Sequence, residues 1–291
     1  FKPVTKKTFT VKKSKKISQF ISNAFKVAMS PRRGPVCLNL PRNILAEKSF
    51  YKINETTKSF KKNYNIKAKA TVINKSINLI KKSKKFVIIV GAGIKYNSSF
   101  KDLIINVPIV TAAGHGDAIP NDHKLNSGQM GPRGNPVATN LMKGADTILA
   151  LGTRLGFNST FYSYENINKK AKIIQVELEK KMIGKYFPVT IGILADASIV
   201  ATQLLNALKQ KKILSNTEEW TKKFINDRKK FLVNRDKIKS NNNPIQPNAL
   251  FKELRKVLPK NSAITLDAGT LCLQATDSLN YFKPPSLFSP L

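Results

Sequence analysis

The residues best suited to chemistry follow three short apolar runs of the chain. Gly91 and Gly93 follow the first run, Gly152 and Arg154 the second, and Glu177 closes the third. Glycines let backbone amides approach a phosphate, an arginine can pair with a diphosphate, and a carboxylate can accept hydrogen bonds from ribose hydroxyls. Each feature also has a purely structural explanation: a tight turn, a loop ion pair or a solvated acid. Together they favour nucleotide-type chemistry.

Other candidate groups give weaker signals. No serine or cysteine nucleophile motif accompanies the two histidines, His115 and His123, and this disfavours a hydrolytic triad. Asp117, in Gly116-Asp117-Ala118, resembles half of a magnesium–diphosphate motif, but the final glycine is absent, so we interpret the segment as a loop. Asp267, two residues before a glycine, could orient backbone amides toward an anion or cap the next turn.

The three apolar runs, at 86–90, 147–151 and 172–177, are rich in β-branched residues. This composition is typical of strands buried on both faces of a parallel sheet. Helical patterns at about 72–83, 136–144 and 197–210 alternate with them, whereas 128–135 looks like a glycine-rich loop. The sequence therefore predicts an α/β fold: a doubly wound parallel-sheet, Rossmann-like central domain flanked by partial α/β domains.

Composition changes along the chain suggest its organisation. A helix and a buried strand occupy the first segment, 1–48, and a polar, basic linker follows at 49–71. The central domain is predicted at 72–210, a second linker at 211–246, and a further α/β segment at 247–291.

The 291 residues carry a formal net charge of +34, which raises the alternative of a basic nucleic-acid-binding protein. The lysines, however, occur in pairs throughout the chain without interleaved aromatic residues, and this favours a lysine-rich surface composition instead. No apolar run approaches the roughly 20 residues that span a bilayer. Two isolated cysteines, Cys37 and Cys272, and the lack of a signal-peptide pattern lead us to expect a cytoplasmic protein with free thiols.

Several motifs in a fixed order resemble a known family. Residues 28–36 (AMSPRRGPV) with 38–43 (LNLPRN) are similar to the end of the pyrimidine-binding domain of thiamine-diphosphate enzymes. Residues 86–93, 108–113, 145–154 and 171–177 resemble their central domain, and 247–269 resembles the start of their diphosphate-binding domain. The resemblance covers nearly the whole chain and is closest to the large, catalytic subunit of acetolactate synthase.

The resemblance implies a thiamine-diphosphate-dependent transferase or lyase that needs Mg²⁺. Such an enzyme decarboxylates a 2-oxo acid and transfers the two-carbon unit to a second 2-oxo acid, in branched-chain amino-acid biosynthesis. It implies a homodimer or homotetramer, leaves room for a regulatory subunit, and in synthase members adds FAD in the central domain. A thiamine-diphosphate-dependent 2-oxo-acid decarboxylase or another acyltransferase is the alternative within the same superfamily.

The resemblance also assigns cofactor-binding roles by position. It assigns the binding of FAD to an arginine (Arg32), a glycine turn (Gly91 and Gly93), a loop segment (Thr111), strand-end contacts (Gly152 and Arg154), a ribose contact (Glu177) and a late acid (Asp196). Toward thiamine diphosphate it assigns Gly269 and Thr270.

The resemblance puts the catalytic glutamate before Phe1 and the Gly-Asp-Gly…Asn metal motif after Leu291, so we expect no catalytic residue within this chain and no activity from it alone. The segment Ala113-Gly-His-Gly116 replaces an apolar loop usual in synthases, which weakens the flavin assignment. A sirtuin-like deacylase needs paired CxxC zinc ligands, and the two isolated cysteines of this sequence exclude them.

Overall fold

The computed structural model describes residues 1–30, 33–48, 66–95, 97, 100–131, 134–210, 214–237 and 243–289. Arg32 lies outside the described residues. The chain divides into two compact units, Phe1–Asn65 and Ile66–Leu291. No helix in the described ranges combines the length and apolar character that crossing a membrane requires.

The described part of the first unit contains two parallel strands and two α-helices. Strands β1 (Thr8–Thr10) and β2 (Cys37–Asn39) pair, and the helices are α1 (Ile17–Met29) and α2 (Arg42–Ala46). The Phe9 ring meets the Phe20 ring of α1 edge to face, with centroids 5.9 Å apart. Lys6 Nζ donates hydrogen bonds to the carbonyls of Val27 (2.8 Å) and Ser30 (3.1 Å), so a cation caps the carboxyl end of α1.

The second unit contains a six-stranded, wholly parallel sheet, and this confirms the predicted α/β fold. Its first part consists of α3 (Ala70–Lys81), β3 (Phe86–Val90), α4 (Ala92–Lys95), α5 (Phe100–Leu103), β4 (Ile109–Thr111), β5 (Asn126–Gln129) and α6 (Pro136–Gly144). Next come β6 (Thr147–Leu151), α7 (Phe157–Thr160), β7 (Lys172–Glu177), β8 (Ile191–Leu194), α8 (Ala197–Gln210) and α9 (Glu218–Asp236). The strand order is β5-β4-β3-β6-β7-β8.

Burial on both faces explains why the central strands are continuous apolar runs. In β3, Phe86, Ile88 and Val90 belong to one hydrophobic core, together with residues of α3 and α8. Val87 and Ile89 belong to a second core on the other face, which includes residues of α6 and α9. Helices therefore cover both faces of the sheet, which is the doubly wound arrangement.

The edge strand β5 of the central sheet was not predicted, and neither were the short strands β1 and β10 (Leu287–Phe288). The sequence pattern predicted a glycine-rich loop at 128–135, but Asn126–Gln129 forms the edge strand β5, parallel to β4. This strand has no apolar residue because side-chain hydrogen bonds hold it: Ser127 Oγ donates to the Ile109 carbonyl (2.8 Å) and Asn126 Nδ2 to the Ile119 carbonyl (3.2 Å). A hydrophobic pattern cannot reveal such a strand.

A carboxyl-terminal segment completes the second unit. It contains α10 (Pro247–Val257), β9 (Ile264–Thr265), α11 (Thr270–Ser278) and β10 (Leu287–Phe288), and the two strands pair in parallel. Its small apolar core includes Phe251, Tyr281 and Leu287.

Candidate functional site

The carboxyl edge of the sheet gathers the residues predicted from the central domain. Parallel strands end at one edge, and the direction of chain progression reverses between β3 and β6, so this edge holds a topological switch point, the usual ligand position in such folds. The residues at or just beyond this edge are Gly91, Gly93, Thr111, Gly152, Arg154, Glu177 and Asp196. Gly269 and Thr270 stand apart from them, at the start of α11.

The glycine turn is occupied by contacts within the sheet. The Gly91 amide donates to the Leu151 carbonyl (3.1 Å) and the Gly93 amide to the Gly152 carbonyl (3.2 Å). A Cβ on Gly93 would lie 2.7 Å from Gly152 Cα, so the two backbones touch at the switch point. Both amides that could have faced a diphosphate are thus already bonded, and the turn joins two strands.

Arg154 and Glu177 are two charged groups at this edge that are at least partly exposed to solvent. Arg154 is exposed three residues after β6, and Glu177, at the end of the adjacent strand β7, is partly exposed. Gln175 Nε2 donates to the Thr153 carbonyl (3.2 Å), which fixes the loop that carries Arg154. A guanidinium and a carboxylate on adjacent strand ends can hold the phosphate and the hydroxyl groups of one nucleotide.

Asp196 has a structural partner. Its Oδ1 accepts hydrogen bonds from the amides of Ser198 (2.8 Å) and Ile199 (3.2 Å), at the start of α8. This is the geometry of a helix N-cap, which satisfies amides that would otherwise lack a partner. A contact with a cofactor stays a prediction for this residue.

Three exposed aromatic residues follow Arg154, and Tyr186, from the segment between β7 and β8, packs against one of them; the sequence analysis missed this cluster. The rings of Phe157 and Phe161 stack at 4.7 Å, and those of Tyr162 and Tyr186 at 4.5 Å. Hydrogen bonding between the two tyrosines raises the pKa of Tyr162 and lowers that of Tyr186. The spacing of Phe157, Phe161 and Tyr162 was the available signal, and the cluster adds a flat apolar surface beside a cation.

Two polar atoms behind the edge lack partners among the described residues. They are Thr111 Oγ1, on a fully buried residue, and His115 Nδ1. Burial lowers the pKa of His115 from 6.5 to about 4; Lys95 and Arg154 also lower it, whereas Asp117 opposes them. The imidazole is therefore neutral at physiological pH.

We expect this histidine to make stability depend on pH. Because its pKa is depressed in the folded state, protons bind preferentially to the unfolded chain as the pH falls below about 6.5. The folded state should lose about 2 to 3 kcal/mol of stability through this group by pH 4, with little further loss below that. Urea unfolding at several pH values should show a shallower decline in the His115→Asn variant. Identical slopes in both proteins would contradict the assignment.

Asp117, interpreted from the sequence as part of a loop, is fully buried in the structure. Lys95 Nζ lies 3.4 Å from Asp117 Oδ1 and also donates to the Leu287 carbonyl. Asp117 Oδ2 accepts hydrogen bonds from the amides of Ser286 and Leu287, each at 2.8 Å. A buried ion pair therefore connects the sheet edge to β10. In the described chain, no group of three or more His, Cys, Asp or Glu residues could hold a metal ion.

A second buried polar group joins α11 to β5. Asp277 Oδ1 accepts hydrogen bonds from the Gln129 amide (2.7 Å) and from Asn135 Nδ2 (2.9 Å). Arg228 is also buried, and its positive charge interacts with this carboxylate. Burial has the larger influence on the pKa of Arg228 and lowers it, whereas the Asp277 carboxylate raises it. The carboxyl-terminal segment is thus attached to the central sheet by buried charged groups at two places.

The described residues fit the two implied cofactors, FAD and thiamine diphosphate, to different degrees. The described residues offer FAD an exposed arginine, a carboxylate and aromatic rings, but no free amides from Gly91 and Gly93. For thiamine diphosphate, Gly269 is exposed with φ +147° and has open space around it, so backbone amides at the start of α11 are accessible. The fit is therefore incomplete for flavin, and for thiamine diphosphate it is limited to one helix start.

Comparisons with known proteins agree with this architecture. The family model described as "Thiamine pyrophosphate enzyme, central domain" matches residues 73–204. The chain is 29% identical, over 92% of its length, to the acetolactate synthase large subunit of Buchnera aphidicola subsp. Acyrthosiphon pisum, and equally to a probable acetolactate synthase large subunit of Methanocaldococcus jannaschii. It is 26% identical, over 100% of its length, to a sulfoacetaldehyde acetyltransferase of Alcaligenes xylosoxydans xylosoxydans.

The resemblance inferred from the sequence is confirmed by these matches, at modest identity. The chain spans about half the length of the curated relatives it matches: 48%, 47% and 52% of the three named above.

Proposed function

We propose that this chain is part of a thiamine-diphosphate-dependent carboligase of acetolactate-synthase type. Such an enzyme decarboxylates a 2-oxo acid and transfers the two-carbon unit to a second 2-oxo acid. The observation that carries the proposal is the match of residues 73–204 to the central domain of thiamine pyrophosphate enzymes, within acetolactate synthase relatives that align with 92% of the chain.

The residues of this chain would bind and orient cofactors. When bound, thiamine diphosphate would supply a nucleophilic carbanion for the keto carbon of the 2-oxo acid and, in its thiazolium ring, a sink for the electron pair released with CO₂. Gly269 and Thr270 would meet its diphosphate at the start of α11. Arg154 and Glu177 would hold a nucleotide such as FAD at the sheet edge, and the lysine-rich surface would attract anionic 2-oxo acids.

The wider properties implied by the resemblance belong to the same proposal. They are a Mg²⁺ ion with the diphosphate, a homodimer or homotetramer, a regulatory subunit, a cytoplasmic location and a place in branched-chain amino-acid biosynthesis. The roles assigned to Arg32, Gly91, Gly93, Thr111, Gly152 and Asp196 are likewise proposals.

The test uses the whole protein that contains this chain. Given pyruvate, thiamine diphosphate and Mg²⁺, we expect it to release CO₂ and form acetolactate. A Thr270→Val variant should need a higher concentration of thiamine diphosphate, whereas Thr202→Val, which changes an exposed threonine on α8, should not. Decarboxylation without formation of acetolactate would instead identify a 2-oxo-acid decarboxylase, and would refute the carboligase.

A second candidate is an acetyltransferase acting on sulfoacetaldehyde. Two observations favour it: a relative with that name aligns with 100% of the chain, and the Ala113-Gly-His-Gly116 loop departs from the apolar loop expected of a synthase. Presenting the same protein with pyruvate or sulfoacetaldehyde separates the two functions. Consumption of sulfoacetaldehyde alone would favour the acetyltransferase.

A further inference from the structure

A cavity of about 380 Å³ lies between α6, α9, α10 and α11, where the carboxyl-terminal segment meets the central sheet. Two helix starts line it, residues 134–136 before and within α6, and residues 246–248 at α10. Helix starts carry partial positive charge, and among the described residues no side chain caps the start of α10. In its first turn Pro247 has no N–H and the Ala249 amide donates to the Gln246 carbonyl (2.9 Å), so Asn248 provides the backbone amide that can meet a ligand. The volume is that of a site for a small molecule.

Arg235 of α9 supplies a buried positive charge in the wall of this cavity. Its side chain is only 9% exposed, and its Nε donates to Asp236 Oδ1 at 3.0 Å. Its Nη1 is buried and has no hydrogen-bond partner within the ranges that the structure describes. A guanidinium N–H left unpaired in a protein interior is costly, so this atom calls for an acceptor that the described residues do not supply.

The acidic residue in the wall does not cancel this charge. Asp277 lines the cavity, but its Oδ1 is held by the Gln129 amide and Asn135 Nδ2, and Arg228 lies nearby. The Arg228 guanidinium also lies 5.5 Å from the centre of the Phe231 ring, which forms an aromatic wall of the cavity. The cavity therefore offers an anion site with an apolar surface beside it.

A smaller neighbouring cavity extends the positive surface. It has about 190 Å³ and shares Arg235, Asn248 and Ser278 with the first cavity. Its wall adds Lys252, Arg255 and Lys256 of α10, with Asp236 as the opposing acid. The Lys256 charge is paired with Glu253 at 2.8 Å, so Lys252 and Arg255 supply the added positive charge. A ligand bound at Arg235 would thus lie in a predominantly basic environment.

We propose that this cavity binds a small phosphate-bearing molecule whose phosphate meets Arg235 and the start of α10, and whose apolar part lies against Phe231. A guanidinium fork combined with a backbone amide at a helix start suits a phosphate group. The site is separate from the strand ends that carry Arg154 and Glu177, and it does not depend on the proposed catalytic function. Its ligand would stabilise the junction between the central sheet and the carboxyl-terminal segment.

The test measures binding of phenyl phosphate to the chain by calorimetry, with inorganic phosphate and benzoate for comparison. We expect saturable binding of phenyl phosphate with a Kd of about 1 mM or tighter, and weaker binding of benzoate. The Arg235→Gln variant should bind at least about tenfold more weakly, since it loses a charge-assisted contact. Lys230→Gln, which removes an exposed charge from the same helix, should bind as the unchanged protein does.

A second measurement separates ligand binding from folding. Phenyl phosphate should raise the thermal midpoint of the unchanged protein and of Lys230→Gln, and should raise that of Arg235→Gln far less. Arg235→Lys keeps the charge without the fork and should fall between them. The proposal fails if no saturable binding is seen, if Arg235→Gln and Arg235→Lys both bind as the unchanged protein does, or if benzoate binds as tightly as phenyl phosphate.

Discussion

Replacing Asp117 by asparagine is expected to lower the free energy of unfolding by about 3 to 5 kcal/mol. The carboxylate is fully buried, lies 3.4 Å from Lys95 Nζ and accepts hydrogen bonds from the amides of Ser286 and Leu287. The amide of asparagine keeps one acceptor atom, but its Nδ2 would place a donor against other donors. It would also remove the carboxylate counter-ion of the buried Lys95 charge. Urea unfolding at neutral pH measures this loss.

The loss should also be visible locally. Hydrogen exchange at the Ser286 and Leu287 amides should accelerate more than exchange in β3, because Asp117 is their acceptor. A matched control is Asp227→Asn, which breaks the exposed ion pair with Lys223 at 2.7 Å and should change stability by less than about 0.5 kcal/mol. If both substitutions lowered the free energy of unfolding equally, burial of the Lys95–Asp117 pair could not be the cause of the loss.

Replacing Gly152 by alanine is expected to cost about 3 kcal/mol or more. Gly152 has φ +62°, a conformation that alanine adopts at a cost, and a Cβ there would lie 2.5 Å from Gly93 Cα and 2.8 Å from Gly93 N. These neighbours are backbone atoms of the adjacent strand end, so they cannot move aside as a flexible side chain could. The thermal midpoint and the urea midpoint should both fall.

The control for this prediction lies four residues further along the chain. Gly156 has φ −77°, and no atom lies within 4 Å of the position a Cβ would take. Gly156→Ala should therefore change stability by less than about 0.5 kcal/mol. If Gly152→Ala changed stability as little as Gly156→Ala, the glycine turn at the switch point could not be as closely packed as the structure shows.

The sequence by itself determined the architecture of the central domain. The strands 86–90, 147–151 and 172–177 were predicted with the bounds that the structure gives them, as were the helices 136–144 and 197–210. Burial on both faces forces a strand to be apolar throughout, and this leaves a periodicity that can be read locally. For the same reason the edge strand β5, held by polar side chains, could not be recognised.

The positions of the predicted site residues also followed from the sequence, but their surroundings did not. Parallel strands must end at one edge, so Gly91, Gly152 and Glu177 had to lie at the same edge of the sheet. Whether the glycine amides face a ligand or bond to the next strand depends on distances of a few ångströms between separate strands. The structure has them bonded to Leu151 and Gly152.

Only the tertiary structure decided which charges are buried together. Lys95 and the Leu287 carbonyl are 192 residues apart, and Asp277 and the Gln129 amide are 148 apart. An isolated lysine or aspartate in a sequence resembles any solvated surface charge, because its partner is set by how distant segments pack. The buried pair of Lys95 and Asp117, and the buried Arg235 Nη1 that lacks a hydrogen-bond partner in the described part of the chain, therefore became visible only when the carboxyl-terminal segment was seen packed against the sheet.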